Sequence, residues 1–253
     1  MPESIAPADR PRIADRIQPG TQPRHDRNSA AAARLAWLRE TVMVIAIALA
    51  ISLVVKTFLV QAFYIPSSSM EDTLAINDRI LVNKLVPATG DITRGDVVVF
   101  TDPGGWLGAA PAEPNVAKRV IVDVLTFIGI IPHDAGEHLI KRVIGLPGDE
   151  VSCCTLDGQL SVNGTAIDEP YLKPGVTPSD YDFEVVVPEG SLWVMGDNRS
   201  NSADSRAHLG DPGGGFVPLG NVVGRAVVVM WPLDRMGSLG GGQDSFAAVA
   251  DPR

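Results

Sequence analysis

Three consecutive serines, Ser67, Ser68 and Ser69, stand between Pro66 and Met70 in the stretch IPSSSMEDTL (65–74). A serine hydroxyl is a weak nucleophile at neutral pH, so acyl-transfer chemistry needs a base within hydrogen-bond reach. Two kinds of base are conceivable. A histidine triad would have to bring a His and an Asp together from afar. His133, His138 and His208 are the candidates, and no Gly-x-Ser-x-Gly elbow accompanies the serines. The other kind is a lysine held neutral by burial, because apolar surroundings disfavour the ammonium and lower its pKa. Lys141 in HLIKRVIGLPGDE is flanked by Leu139, Ile140, Val143 and Ile144. In a strand it shares a face with Leu139 and Val143. A lysine on a strand is more often simply solvated, so the residues alone leave the choice of base open.

Within ten residues upstream of the serines lies an apolar run, TVMVIAIALAISLVVKTFLV (41–60). At helical rise such a run spans about 30 Å, the thickness of a hydrocarbon core. Lys56 interrupts it near the far end, where its stem can reach the headgroups. Seven arginines precede the run (Arg10, Arg12, Arg16, Arg24, Arg27, Arg34 and Arg39) against five acids. The positive-inside rule therefore places the N-terminus in the cytoplasm and everything after about Gln61 outside it. Val60-Gln61-Ala62 resembles a small-x-small cleavage site, but a cleaved leader would be unusually long and broken by Lys56. The expected organisation is a disordered cytoplasmic tail over 1–33 and a transmembrane anchor over 34–60. An extracytoplasmic β domain over 61–237 and a flexible, Gly-rich tail over 238–253 follow.

The net charge is −9. After the apolar run, acids outnumber basic residues by 25 to 13. Such a domain lacks the clustered basic face that phosphate binding needs, which argues against a nucleic-acid partner. The histidines have no metal-ligand spacing, and Cys153 and Cys154 have no second pair with which to build a zinc site. No metal or other cofactor is expected. Adjacent cysteines rarely close a disulfide, so the pair reads first as two small residues, with a vicinal bridge or an intermolecular role as alternatives.

Beyond the anchor no sustained helical period appears. Short β-branched runs at 79–84, 96–100, 138–144, 183–187, 192–195 and 222–231 are separated by Gly, Pro and Asp. These predict a mainly β domain without strand–helix alternation. The apolar run VAKRVIVDVLTFIGII (116–131) is too short, with Asp123 inside it, for a second span. It reads as a buried strand pair or as a surface that dips into the membrane interface.

The chain carries an ordered set of blocks: IPSSSMEDTL after the anchor, ILVNKL, RGDVVVF (94–100), IKRVIGLPGD (140–149), GDNRSNSADSR (196–206) and GFVPLGNVVGRA (215–226). In this order they resemble the type I signal peptidases, membrane-bound Ser-Lys proteases that remove signal peptides from exported proteins. The resemblance implies two coiled antiparallel β-sheets, no cofactor, and secretory preproteins and the lipid bilayer as partners. It implies Ser69 as nucleophile and Lys141 as general base, with the Ser69 N–H and the Ser67 hydroxyl as oxyanion hole. Ser202 would orient the lysine amine, and Asp204 and Arg206 would support it. Ile65, Pro66, Met70, Leu74 and Ile140 would contact a substrate cut after a small-x-small, Ala-x-Ala-like site. Lysine at the base position matches the bacterial type, hence the bacterial cytoplasmic membrane. Three positions depart from the family pattern: Ser68 stands where some members have glycine, Asp72 where proline is common, and Ser200 where aspartate is usual. Rival readings are an autoproteolytic Ser-Lys protease of the phage-repressor type and a membrane-tethered binding domain that presents preproteins. The oligomeric state is left open.

Overall fold

In the computed structural model, residues 27–86, 92–108, 138–240 and 242–252 are described, with side chains from residue 33. The apolar run 116–131, His25, His133 and residues 1–26 of the expected tail lie outside them. The chain divides into two units, Met1–Leu49 and Ala50–Arg253. Helix α1 (Arg27–Val54) continues into a wide π-type turn (Val55–Leu59). Within this stretch, Ala33–Leu59 is long and apolar enough to cross a membrane. Leu35, Trp37, Val44, Ile47 and Leu49 are all exposed along it. Apolar exposure on this scale suits a lipid environment, where the helix satisfies its own backbone hydrogen bonds.

Among the described residues the second unit has twelve strands. They are β1 (Val60–Tyr64), β2 (Arg79–Asn83), β3 (Val97–Thr101), β4 (His138–Gly145), β5 (Glu150–Cys153) and β6 (Leu160–Val162). The rest are β7 (Thr165–Ala166), β8 (Phe183–Val186), β9 (Ser191–Met195), β10 (Val217–Pro218), β11 (Val222–Trp231) and β12 (Gly237–Ser238). The larger sheet runs β1-β2-β11-β3-β4-β9-β10, with β12 on β11, and the smaller runs β7-β6-β5-β8. Every pairing is antiparallel. Register shifts within β11 and at the β4–β9 pairing are bulges, which deepen the coil of the larger sheet. The chain is thus mainly β, with one long N-terminal apolar helix and two antiparallel sheets. All six runs expected as strands are strands, each within one residue at either end.

The sheets enclose apolar clusters on both faces, and β3 shows why its sequence is VVVF. Val97 and Val99 enter one cluster with Phe63, Ile80 and Val82, while Val98 and Phe100 enter another with Val143, Leu192 and Val194. A strand covered on both sides reads as a continuous apolar run rather than an alternating one. β4 is sandwiched between β3 and β9, and its residues from Ile140 to Gly145 are all buried. That placement removes Lys141 from water. Under the smaller sheet, Trp193, Val151, Leu160, Val162 and Phe183 form a third cluster.

Cys153, buried at the end of β5, is bonded to Cys154. Of the alternatives for this pair, the vicinal bridge is the one formed. The stretch expected as a flexible C-terminal tail makes packed contacts over 242–252. Phe246 joins the cluster of Trp193, and Asn163 Nδ2 donates to the Ala250 carbonyl at 2.8 Å.

Candidate active site

The serine cluster lies in the connection from β1 to β2. Reciprocal backbone bonds tie its base together: Ile65 N–H to the Asp78 carbonyl at 3.0 Å, and Asn77 N–H to the Ile65 carbonyl at 2.9 Å. Asp78, itself buried, accepts from the Ala75 N–H at 2.8 Å. Two tight turns follow, with Glu71 N–H bonded to the Ser68 carbonyl at 3.1 Å and Leu74 N–H to the Met70 carbonyl at 2.7 Å. Met70 and Leu74 are fully buried and anchor this turn in the core. Asp72 has φ +90° there, a value closed to proline, whose ring holds φ near about −65°.

The loop after β9 grips the same turn from the other side. Asn198 donates from its backbone N–H to the Ser69 carbonyl at 3.1 Å, and from Nδ2 to the Ser68 carbonyl at 3.0 Å. Asn201 Nδ2 donates to the Ser68 hydroxyl at 2.7 Å. Gly196 is required by closeness: a Cβ there would lie 2.2 Å from Ser202 Oγ and 2.5 Å from the Ser69 carbonyl oxygen.

Lys141 reaches this turn from β4. Its Nζ lies 2.8 Å from Ser69 Oγ and 3.0 Å from the Ile140 carbonyl oxygen. Both Lys141 and Ser69 are buried. Loss of water pushes the lysine pKa down from its ordinary value to about 8, against the opposing pull of the Asp204 and Asp197 carboxylates. Ser67 Oγ is 3.4 Å from Ser69 Oγ. A hydroxyl beside a readily deprotonated amine, with a second hydroxyl next to it, can carry out nucleophilic acyl transfer. The described histidines are engaged elsewhere: His208 pairs with Asp211 at 2.7 Å and stacks on Trp106, and His138 lies edge-on to Phe63.

A family model described as signal peptidase, peptidase S26, matches residues 38–231. The chain belongs to this signal peptidase family. Signal peptidase I of Mycobacterium tuberculosis (strain H37Rv) is 41% identical over 226 residues, covering 81% of this chain and 76% of the relative. The probable signal peptidase I of Mycobacterium leprae is 38% identical over 231 residues, covering 80% and 79%. Signal peptidase I U of Bacillus subtilis (strain 168) is 34% identical over 207 residues, covering 78% and 90%. As a member of this family the chain is a peptidase.

Of the residues expected at the site, the structure brings together Ser67, Ser69 and Lys141. Asp204 and Arg206 also meet as a buried pair, with Arg206 donating from Nε and Nη2 at 2.9 Å and the Gly196 N–H adding 3.0 Å. The expected bond from Ser202 to the lysine amine is not formed. The Ser202 hydroxyl is buried with no hydrogen-bond partner among the described residues, and the Ile140 carbonyl accepts from the amine. Ile65, Met70, Leu74 and Ile140 belong to one apolar cluster, whereas Pro66 is exposed. Among the described residues no His, Cys, Asp or Glu cluster could hold a metal ion.

Sequence reasoning missed the ion pair next to the lysine. Arg142 donates from Nε and Nη2 to both oxygens of Asp197, at 2.8 and 2.6 Å, with neither residue exposed. Tyr171 lies under the guanidinium at 4.0 Å, and Thr73 Oγ1 donates to Asp197 at 2.5 Å. Arg199, equally buried, pairs with Glu169. The signal available was charge inside blocks otherwise read as strand and loop.

The Asn201–Ser68 bond is the outermost of the bonds on the serine turn. Asn201→Ala should lower turnover by roughly threefold to tenfold with KM unchanged, since a slackened serine turn loses alignment rather than binding. Steady-state cleavage kinetics checks this, and a rise in KM at constant kcat would contradict it.

Proposed function

We propose that this chain is a membrane-anchored signal peptidase that cuts exported preproteins after a small-x-small site, using Ser69 as nucleophile and Lys141 as general base. The observation that carries the reading is the 2.8 Å approach of Lys141 Nζ to Ser69 Oγ inside a buried site. Neutral Lys141 takes the hydroxyl proton as Ser69 attacks the scissile carbonyl, and an acyl-enzyme ester forms. The ammonium then protonates the leaving amine, and water, deprotonated by the regenerated amine, releases the product. The Ser69 N–H and the Ser67 hydroxyl face the developing oxyanion. One such donor is worth on the order of 3 kcal/mol. Asp204, paired with Arg206, supports the loop beside the amine.

The substrate is a preprotein segment laid down extended, as an added strand. On this reading Ile65 and Ile140 would form the floors of shallow pockets with Pro66 at the rim, and the fully buried Met70 and Leu74 would back them. Shallow floors accept alanine and exclude larger side chains. Residues 34–60 form the anchor, the arginine-rich N-terminus lies in the cytoplasm, and the domain from residue 61 faces the outer side of the bacterial cytoplasmic membrane.

The test is cleavage of an Ala-x-Ala preprotein by the detergent-solubilised full chain, with the cut located by mass spectrometry and the rate followed against pH. With the lysine at about 8, the neutral fraction and hence the rate should rise about tenfold per pH unit below 8 and level off above it. Binding without cleavage would replace the enzyme reading with the binding-domain one. A limb near pH 6 to 7 that vanishes on changing His138 or His208 would reassign the base.

A further inference from the structure

Behind the catalytic strand, the C-terminal segment comes into direct contact with the arginine beside Lys141. Gly242 is buried, and a Cβ on it would lie 2.0 Å from Arg142 Nη1 and 2.7 Å from the Gly95 carbonyl oxygen. A Cβ on Gly95 would in turn lie 2.4 Å from the Gly242 carbonyl carbon. The two backbones therefore touch, and Arg142 Nη1 donates to the Gly95 carbonyl at 2.7 Å in the same place. Downstream, the segment is pinned at several points. Gln243 Nε2 donates to Asp96 Oδ1 at 2.6 Å, Phe246 is buried with Trp193 and Ile144, and the Ala250 carbonyl accepts from Asn163 at 2.8 Å.

We propose that residues 242–252 are a strap that positions Arg142, and through Arg142 the Asp197 carboxylate and the serine turn. The guanidinium has two working edges. One faces the strap and the Gly95 carbonyl, and the other holds both oxygens of Asp197. Asp197 in turn receives Thr73 from the serine turn, and the next residue, Asn198, holds the Ser69 carbonyl. Side-chain atoms at position 242 would push the guanidinium toward or past Asp197, so only glycine leaves it seated. The charged groups acting on Lys141 are Asp197 and Asp204, each matched by its own arginine, Arg142 and Arg206. An Arg142 displaced from Asp197 leaves that carboxylate less compensated, which favours the lysine ammonium and moves its titration to higher pH. The kinetic part of this inference rests on the Ser69–Lys141 reading above, but the titration does not.

The experiment uses the full chain in detergent, as Gly242→Ala and Gly242→Val beside wild type. It reads kcat and KM for an Ala-x-Ala preprotein, and the Lys141 midpoint by 13C NMR of ε-labelled lysine, with the signal assigned by its loss in Lys141→Met. Gly242→Val should lower kcat by about tenfold with KM within about twofold, as misalignment does. It should also raise the Lys141 midpoint, and Gly242→Ala should do both to a smaller degree. A folded variant with an unchanged midpoint and unchanged kcat overturns the strap. If Gly242→Val does not fold, Gly242→Ala and Gln243→Ala take the same measurements with the same deciding outcomes. Should wild type cleave nothing, the peptidase reading fails, and the midpoint alone still decides the strap.

Discussion

Lys141→Met should yield a protein that cleaves preprotein at least about 10⁴-fold more slowly than wild type, yet is no less stable at pH 7. Methionine keeps most of the lysine's length and apolar stem while removing the proposed base. Members of a nucleophile–base unit act together, so losing one of them typically costs about 10⁴-fold or more. The stability half follows from the direction of the lysine's pKa shift. Its folded-state value is lowered from 10.5 to about 8, chiefly by burial. Between these values the unfolded chain carries a proton that the folded chain lacks, so this group's contribution to stability rises with pH across that window. Below about 8 the folded protein carries the full cost of a buried ammonium. Methionine removes that cost, against the loss of two hydrogen bonds, to Ser69 Oγ and the Ile140 carbonyl. Thermal melts should therefore favour the variant at pH 7, with the gap narrowing toward pH 10. Residual cleavage above about one part in a hundred would remove Lys141 from the mechanism.

Much of the scaffold around this site is legible in the sequence because β-branched runs are buried on both faces. VVVF in β3 reads as a strand because two apolar clusters claim its alternate residues, HLIKRVIG in β4 because it is buried from Ile140 to Gly145, and VVGRAVVVMW in β11 because it stays at least half-buried up to Met230. The smaller sheet is a different case. LSV and TA are too short to show a period, and their pairing depends on β5, whose EVSC carries little apolar signal. VQAFY in β1 is masked by the membrane-length run that leads directly into it. Ser69 and Lys141 are proposed from an ordered set of motifs, since neither residue type is diagnostic alone. The lysine's burial follows from its central strand. What composition hides is close approach. GGGQD reads as loose chain, yet Gly242 is glycine because Arg142 Nη1 occupies the space a side chain would need. For Ser202 the motif implies a bond to the lysine amine, where the structure has the Ile140 carbonyl accepting from that amine.

Asp197→Ala is expected to lower the free energy of unfolding by about 3–5 kcal/mol, the range for removing one partner of a buried ion pair. The carboxylate is fully buried and accepts Arg142 at 2.8 and 2.6 Å and Thr73 at 2.5 Å. Alanine would leave the guanidinium in the interior with only the Gly95 carbonyl, the Thr73 hydroxyl and the face of Tyr171 as partners. The same change frees the serine turn from Thr73, so cleavage should fall as well, while loss of a negative charge that acts on Lys141 moves its midpoint down and by itself would favour the neutral amine. Stability and activity can be separated by replacing both partners. A buried pair exchanged for apolar residues of similar volume is often neutral or stabilising, so Arg142→Met with Asp197→Leu should regain most of the lost stability. It should not regain activity, because neither replacement can hold Thr73 or balance the charge beside the lysine. Urea denaturation of the domain, run beside preprotein cleavage for the single and double variants, decides the matter. A loss below about 1 kcal/mol in Asp197→Ala would mean the pair is solvated in the folded protein, and a double variant with full activity would reduce the pair to packing.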